Sequence, residues 1–160
     1  MSRQLIEQAL QHHQSGRLTE AKTIYEQYLT SSPHDPDGWH LLGLAWLQSG
    51  NSAKAVDLIR RAIQIQAKNP AYFANLGAAL VECGNPQEAV REFQRAVELD
   101  PKAPQLQMAL ANCHAFCGEL TAAEKLLRKL TAQFPAFALG WFKDRKSTRL
   151  NSSHVKRSRM

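Results

Sequence analysis

Apolar residues recur along the chain at intervals of three and four, in segments divided by glycines. This spacing predicts amphipathic helices. Glycine readily adopts the left-handed conformation that ends a helix, and the dividing glycines recur at equal intervals, at Gly16, Gly50, Gly84 and Gly118. The pattern therefore predicts an all-α chain of about four helix-turn-helix units, with boundaries at 2–35, 36–69, 70–103 and 104–137.

Three other positions recur with the same period. A small residue in each second helix is Ala21, Ala55, Ala89 or Ala123. One turn later stands a large residue, which is Tyr25, Ile59, Phe93 or Leu127. A closing proline stands at Pro33, Pro101 and Pro135, with Ala67 in the remaining place. Agreement over four periods indicates a true repeat rather than an ordinary helical bundle.

Helix starts and helix contacts are also marked in the sequence. An N-cap residue precedes a proline in Asp35-Pro36, Asn69-Pro70 and Asn85-Pro86, and Glu88 completes a capping box with Asn85. Gly43 and Gly77 lie inside helices, where glycine costs about 1 kcal/mol relative to alanine. We expect them to let two helix backbones approach closely, opposite Ala55 and Ala89.

The second and third units carry a recognisable signature, Trp39-x-x-Leu42-Gly43-x-x-Trp46 and Phe73-x-x-Leu76-Gly77-x-x-Leu80. It resembles that of the tetratricopeptide repeat (TPR) family over residues 2–143, although Leu5 and Gln107 replace the tryptophan in the outer units. The resemblance implies a right-handed superhelix, an α-solenoid, whose first helices line a concave groove for a peptide or a partner's helix. It also leads us to expect Trp39, Leu42, Trp46 and Leu76 to be buried.

Projected onto this sequence, the resemblance predicts a mostly apolar groove. Its candidate residues are His13, His40, Leu44, Leu47, Ala78, Val81, Met108, Asn112 and Phe116. The alternative is that the apolar members simply pack as core. TPR proteins that hold acidic chaperone tails use lysine, arginine and asparagine in this groove. The matching places here hold Ile6, Leu10, Leu41, Ala71 and Asn75, so an acidic tail is not the expected partner.

A looser resemblance suggests a second function. Trp39–Gly43, Leu58–Ile63 and Tyr72–Gly77 are similar to the N-terminal arms of bacterial proteins in which TPRs precede an O-GlcNAc-transferase-like or sulfotransferase domain. The leading hypothesis is thus a protein-interaction scaffold. The alternative is a non-catalytic arm of a larger transferase that presents substrate or dimerises.

Catalytic and metal-binding motifs are weak in this chain. Cys113 and Cys117 lie one helical turn apart with His114 between them, and Cys83 occupies the same repeat position as Cys117. Thiolates and imidazole bind zinc, but a fourth ligand is not evident, and buried apolar thiols explain these positions better. No HExxH or phosphate-binding loop is present. We therefore expect no catalytic residue, cofactor or metal in this chain.

Most of the net charge of +6 arises in residues 144–160. This segment matches the translation of a short-read sequencing adapter, and we interpret it as a non-native, disordered tail. It contains six basic residues and one acidic residue, which leaves residues 1–143 with 14 basic and 13 acidic residues. We expect 138–143 to begin a fifth repeat that the adapter interrupts, with Leu126, Leu130 and Phe134 left uncovered as a surface for self-association.

The remaining features of the composition bear on the cellular location of the protein and on the classes of partner to expect. No apolar stretch approaches the ~18 residues needed to span a bilayer, and Glu7 interrupts any signal peptide. Three cysteines without a CxxC pair suit a reducing compartment. We expect a cytoplasmic protein with protein or peptide partners, and neither nucleic acid nor membrane as a partner.

The charge distribution yields a direct prediction. The full chain should bind double-stranded DNA weakly, whereas a chain ending at Lys143 should show no binding at about 0.15 M salt, because few cations remain to displace counterions. Fluorescence anisotropy with labelled DNA measures both. Comparable binding by the shortened chain would reveal a basic face within residues 1–143.

Overall fold

The computed structural model describes residues 2–139, with side chains from residue 4 onward. Their helices follow the predicted order and confirm an all-α solenoid. They are α1 (Ser2–Gln14), α2 (Leu18–Ser31), α3 (Pro36–Gln48), α4 (Ser52–Ile65), α5 (Pro70–Glu82), α6 (Pro86–Leu99), α7 (Pro104–Phe116) and α8 (Leu120–Gln133). Residues 135–139 are helical again. The predicted tail lies outside the described residues.

Each hairpin turn is closed by its glycine. The φ angles of Gly16, Gly50, Gly84 and Gly118 are 74°, 85°, 79° and 81°. In the second turn Gly50 N–H donates to the Leu47 carbonyl at 2.9 Å, and Asn51 N–H donates to the Trp46 carbonyl at 3.0 Å. The same two bonds recur in the other turns and satisfy the last carbonyls of each first helix.

Two of the three predicted caps form as expected. Asp35 and Asn69 side chains accept hydrogen bonds of 3.0 Å from the N–H groups of Asp37 and Ala71. The prediction of a capping box at Asn85 was wrong, because the Asn85 side chain makes no hydrogen bond to the first turn of α6. Glu88 instead accepts a 2.6 Å hydrogen bond from Arg60 Nη2 on α4. A contact between helices thus replaces the local one.

Consecutive helices pack along the whole array, and the first helices also meet each other. Helix α3 contacts α5, and α5 contacts α7, whereas the described residues show no comparable contact between consecutive second helices α4, α6 and α8. The first helices therefore form one face, as the resemblance implied. The largest fully buried side chains are Tyr25, Ile59, Tyr72, Leu80, Leu110 and Leu130.

The glycines inside α3 and α5 are required by close helix packing. A Cβ atom at Gly43 would lie 2.7 Å from Ile59 Cγ1, and one at Gly77 would lie 2.9 Å from Phe93 Cε2. The close approach is confirmed. Its partners, however, are mainly the large residues Ile59 and Phe93, although the Ala55 carbonyl also lies 3.4 Å from the Gly43 position.

The expected burial of both tryptophans was wrong. Leu42 and Leu76 are 2% and 3% exposed, but Trp39 and Trp46 are only half-buried. Arg61 lies over the Trp39 ring at 4.2 Å, and the Trp46 ring has the Nζ atoms of Lys22 and Lys54 each 3.9 Å from its centroid. Both rings pack against buried core residues, and cationic side chains lie over them as well, consistent with the amphipathic character of indole.

Gln107 replaces the tryptophan without losing its polar contact. Trp39 Nε1 donates to the Pro33 carbonyl at 2.9 Å, and two repeats later Gln107 Nε2 donates to the Pro101 carbonyl at 2.8 Å. Phe73 holds the same slot and has no such donor, and Ala67 replaces the proline ahead of it. The N–H donor is therefore what tryptophan and glutamine share at this position.

The end of α8 departs from the expected surface. Helix resumes at residue 135, ahead of position 138, where a fifth repeat was predicted to start. Leu130 is fully buried and packs with Met108 and Ala138, while Leu126 and Phe134 are half-buried. The expectation that Leu130 is uncovered was wrong, because the 135–139 segment packs over it. The repeat boundary stays a prediction, since residues 140–143 lie outside the described part.

The contact at Gly77 gives a stability test. Gly77→Ala gains about 1 kcal/mol of helix propensity but must displace the Phe93 ring, and overpacking typically costs about 1–3 kcal/mol. We expect net destabilisation by about 1 kcal/mol in urea unfolding. In the double variant with Phe93→Leu the added methyl should be tolerated. Additive effects of the two changes would contradict the proposed contact.

Candidate peptide-binding groove

The face formed by the first helices contains three successive zones. The first lies between α1 and α3, where a cavity of about 370 Å³ is lined by Leu10, His13, Gln14, Leu41 and Gln48. His13 Nε2 donates to Gln48 Oε1 at 3.1 Å, and its Nδ1 accepts from the Tyr25 hydroxyl at 3.2 Å. Both ring nitrogens are thus used to join three helices, and His13 forms a wall of this cavity.

A polar bridge joins α3 to α5 in the second zone. The Asn75 amide donates to His40 Nε2 at 2.8 Å, and the Tyr72 hydroxyl donates to the Asp37 carboxylate. The His40 and Tyr72 rings also contact each other, with centroids 4.7 Å apart. Desolvation lowers the pKa of His40 from 6.5, although the nearby Asp37 charge acts in the opposite direction. A neutral, nearly buried His40 therefore holds α3 against α5.

The third zone, between α5 and α7, is an open apolar groove of about 370 Å³. We call it the α5/α7 groove, and its lining residues are Ala78, Val81, Glu82, Phe93, Ala109, Asn112, Cys113 and Phe116. Phe93 reaches it from α6. Phe116 is 69% exposed, an unusual position for a large aromatic side chain.

The repeat explains why this zone is open. His40 and Asn75, which bridge α3 and α5, correspond in the next repeat to Ala74 and Ala109. Two methyl groups cannot make the hydrogen bond that joins the larger pair. The same pair of positions therefore forms a bridge in one zone and leaves space in the next.

The nine predicted groove residues are divided among different surroundings. Ala78, Val81, Asn112 and Phe116 line the α5/α7 groove, and His13 lines the α1/α3 cavity. His40 belongs to the polar bridge. Leu44 and Leu47 are half-buried. Leu47 packs against the core cluster that contains Ile59 and Leu80, in line with the alternative that the apolar residues pack as core. Met108 does not line the groove: it is 4% exposed because it packs against Leu130 and Ala138.

Four lining residues of the α5/α7 groove were not predicted: Glu82, Phe93, Ala109 and Cys113. Glu82 could have been found from the repeat itself. Gln14, Gln48, Glu82 and Phe116 occupy one position in successive repeats, and all four line one of the two cavities. Applying the period to Phe116 points directly to Glu82.

Of the three cysteines, Cys113 is a buried thiol, whereas Cys83 and Cys117 are half-buried. Cys113 is 4% exposed and its Sγ donates to the Pro86 carbonyl at 3.5 Å. Burial, with a smaller contribution from Cys117, raises the pKa of Cys113 to about 11. His114 Nδ1 lies 2.5 Å from Glu119 Oε2. Within residues 4–139, no group of three or more His, Cys, Asp or Glu side chains is arranged to hold a metal ion.

The described helices include none that is long and apolar enough to cross a membrane.

The array of hairpins with a groove along its first helices defines the class of protein as an α-solenoid. Residues 12–80 and 80–141 both match the family model described as tetratricopeptide repeat. The chain therefore belongs to the tetratricopeptide repeat family. No curated protein shows detectable sequence similarity to it.

Solved structures with the same fold have diverse roles. YrrB, described as a TPR protein with an unusual peptide-binding site, is 24% identical with a TM-score of 0.73, over 82% of this chain and 68% of YrrB. A Thermobaculum terrenum O-GlcNAc transferase is also 24% identical, with a TM-score of 0.74, over 83% of this chain but only 26% of the enzyme. The first TPR of Spaghetti (RPAP3), bound to an HSP90 peptide, is 19% identical with a TM-score of 0.70, over 73% of this chain and 93% of that domain.

The polar bridge predicts a pH-dependent stability. Because the pKa of His40 is lower in the folded chain than its ordinary 6.5, the unfolded chain takes up the proton first as the pH falls. The contribution of His40 to stability is thus present above its ordinary pKa of 6.5 and is lost as the pH falls below that value. A proton on Nε2 would also displace the Asn75 bond.

Urea unfolding between about pH 7 and about pH 5 should show a larger loss of stability for the natural chain than for His40→Gln. The variant retains the other ionisable groups and serves as the reference. Parallel pH profiles for the two chains would contradict a depressed pKa at His40.

Proposed function

We propose that this chain is a protein-interaction scaffold that binds a peptide or helix of a partner in the α5/α7 groove. The observation that carries the proposal is the open apolar cavity beside a 69% exposed Phe116. Exposed apolar surface of this kind marks interaction sites in soluble proteins. A partner that covers the Phe116 ring would remove it from water.

The shape and chemistry of the groove suit a polypeptide. Ala78 and Ala109 leave room for a side chain between α5 and α7, and Phe93 provides an apolar floor. The exposed side-chain amide of Asn112 can both donate a hydrogen bond to a peptide backbone and accept one from it. Peptide binding by YrrB and by the Spaghetti domain supports this role for the architecture.

A non-catalytic role without a cofactor fits the polar groups on this face. His13 and His40 are hydrogen-bonded within the fold, and the raised pKa keeps Cys113 protonated near neutral pH. The free cysteines agree with a cytoplasmic location. Nucleic acid is not a proposed partner, because residues 1–143 are nearly neutral.

A second candidate function is the non-catalytic arm of a larger transferase. It is favoured by the structural likeness to the O-GlcNAc transferase, of which this chain spans 26%. The coding sequence beyond Lys143, read from an independent sequence assembly, distinguishes the transferase arm from the scaffold. A glycosyltransferase or sulfotransferase domain there would favour the arm, and further repeats alone would favour the scaffold.

Self-association at the C-terminal end is a separate proposal. Its contacts would involve Leu120 and Leu139, which are 68% and 72% exposed, in place of the buried Leu130. Sedimentation over a range of concentrations tests it. A monomer at high concentration would overturn it.

The groove can be tested without knowing the natural partner. Peptides are selected from a random phage-displayed library on the immobilised chain, and synthetic copies are titrated against variants. Phe116→Ala should weaken binding about tenfold or more, because aromatic residues dominate interface energies. Ile65→Ala is the control, since Ile65 is an exposed apolar residue at the end of α4 that lies outside the groove and outside the proposed self-association surface.

The control should bind within about twofold of the natural chain, well below the factor of ten that corresponds to about 1.4 kcal/mol. Thermal unfolding should show both variants folded, because each truncates an exposed side chain. Failure to select any peptide, or equal binding by Phe116→Ala, would contradict the proposed function.

A further inference from the structure

Lysine and arginine are confined to the second helices and loops in the last three hairpins. Helices α3, α5 and α7 contain no lysine or arginine, and their carboxylates are Asp37 and Glu82. The basic residues of the intervening array lie on the second helices or in loops. Those on α4, α6 and α8 are Lys54, Arg60, Arg61, Arg91, Arg95, Lys125, Arg128 and Lys129. The helices that border the α5/α7 groove therefore carry no lysine or arginine, and Glu82 is their one carboxylate.

Glu82 differs from the other carboxylates near this face. Asp37 accepts a hydrogen bond from the Tyr72 hydroxyl. Glu88 forms an ion pair with Arg60, and Glu119 lies against the His114 ring. Glu82 lines the α5/α7 groove, is exposed, and makes no hydrogen bond or ion pair with any described residue. Its carboxylate is available to a partner.

The position of Glu82 in its helix strengthens this argument. It is the last residue of α5, where the helix dipole and the unsatisfied carbonyls disfavour a negative charge. In the two preceding repeats the same position holds neutral glutamine. A cation placed beside Glu82 would interact favourably with both the side chain and the helix end.

Glu82 and Phe116 occupy the same repeat position on α5 and α7 and line the same groove. An arginine next to Glu82 could also stack its planar guanidinium on an exposed aromatic ring. Together these residues offer an apolar space with a carboxylate and an aromatic surface at its edge.

We propose that the α5/α7 groove recognises a segment in which a large apolar side chain is accompanied by a neighbouring arginine or lysine. The apolar side chain occupies the space between Ala78 and Ala109, and the cation pairs with Glu82. This inference rests on the proposed peptide-binding function and adds the chemistry of the partner. Acidic segments are disfavoured because the groove lining contains no cation to receive them.

The test uses the phage-selected peptides and synthetic copies in which the basic residue is replaced by glutamine or glutamate. We expect the selected sequences to be enriched in arginine or lysine beside an apolar residue. Glu82→Gln should weaken binding roughly twofold to fivefold, the range of exposed ion pairs, and Glu82→Lys about tenfold through added repulsion. Binding should also weaken as salt increases.

Asp57→Lys is the matched control, because it makes the same charge change at an exposed position on α4. It should leave the affinity within about twofold of the natural chain, since its charge is distant from the groove and screened by salt. The Glu82→Lys chain should prefer the glutamate-containing peptide over the parent peptide. This reversal would separate charge recognition from a general loss of binding.

The outcomes distinguish the two proposals. If Phe116→Ala abolishes binding while Glu82→Lys and Asp57→Lys behave alike, the charge inference is overturned and the groove remains a peptide site. Selected peptides that are neutral or acidic would overturn it equally. If peptide binding is indifferent to Phe116, the proposed function itself fails.

Discussion

The close packing of a helix glycine against a large side chain of the second helix is the contact on which the molecule depends. Gly77 meets Phe93 in this way, and Gly43 meets Ile59 in the preceding repeat. A side chain at the glycine would have to displace Phe93 or Ile59 from this contact. Because Phe93 also forms the floor of the α5/α7 groove, one contact both holds the hairpin together and shapes the candidate binding surface.

The concave face is not uniform, although its repeats are similar. The hydrogen bond between Asn75 and His40 closes the surface between α3 and α5, whereas Ala74 and Ala109 leave the corresponding space open in the next repeat. His40 Nε2 can accept the hydrogen bond from the Asn75 amide only while it carries no proton, and the lowered pKa of His40 favours that state. One face thus contains a closed polar bridge in one repeat and an open apolar groove in the next.

Much of the candidate site was accessible from the period alone. Ala78, Val81, Asn112 and Phe116, which were predicted because inner positions recur once in every repeat, line the α5/α7 groove. Met108 was misplaced, because the helical segment 135–139 covers it through Ala138. That coverage depends on residues beyond the end of the next helix, and nothing in the local pattern of α7 indicates it.

The sequence by itself determined the helices, their glycine turns and the face formed by the first helices. These features depend on local backbone preferences and on apolar periodicity, which act between neighbours in the chain. The tertiary structure decided the partners of each side chain: the cations over Trp39 and Trp46, the bond from Gln107 to Pro101, and the pairing of Glu88 with Arg60. Solvent exposure and hydrogen-bond partners are set by helices that come together only on folding, and this is why the polar bridge between α3 and α5 and its contrast with the open α5/α7 groove appeared only in three dimensions.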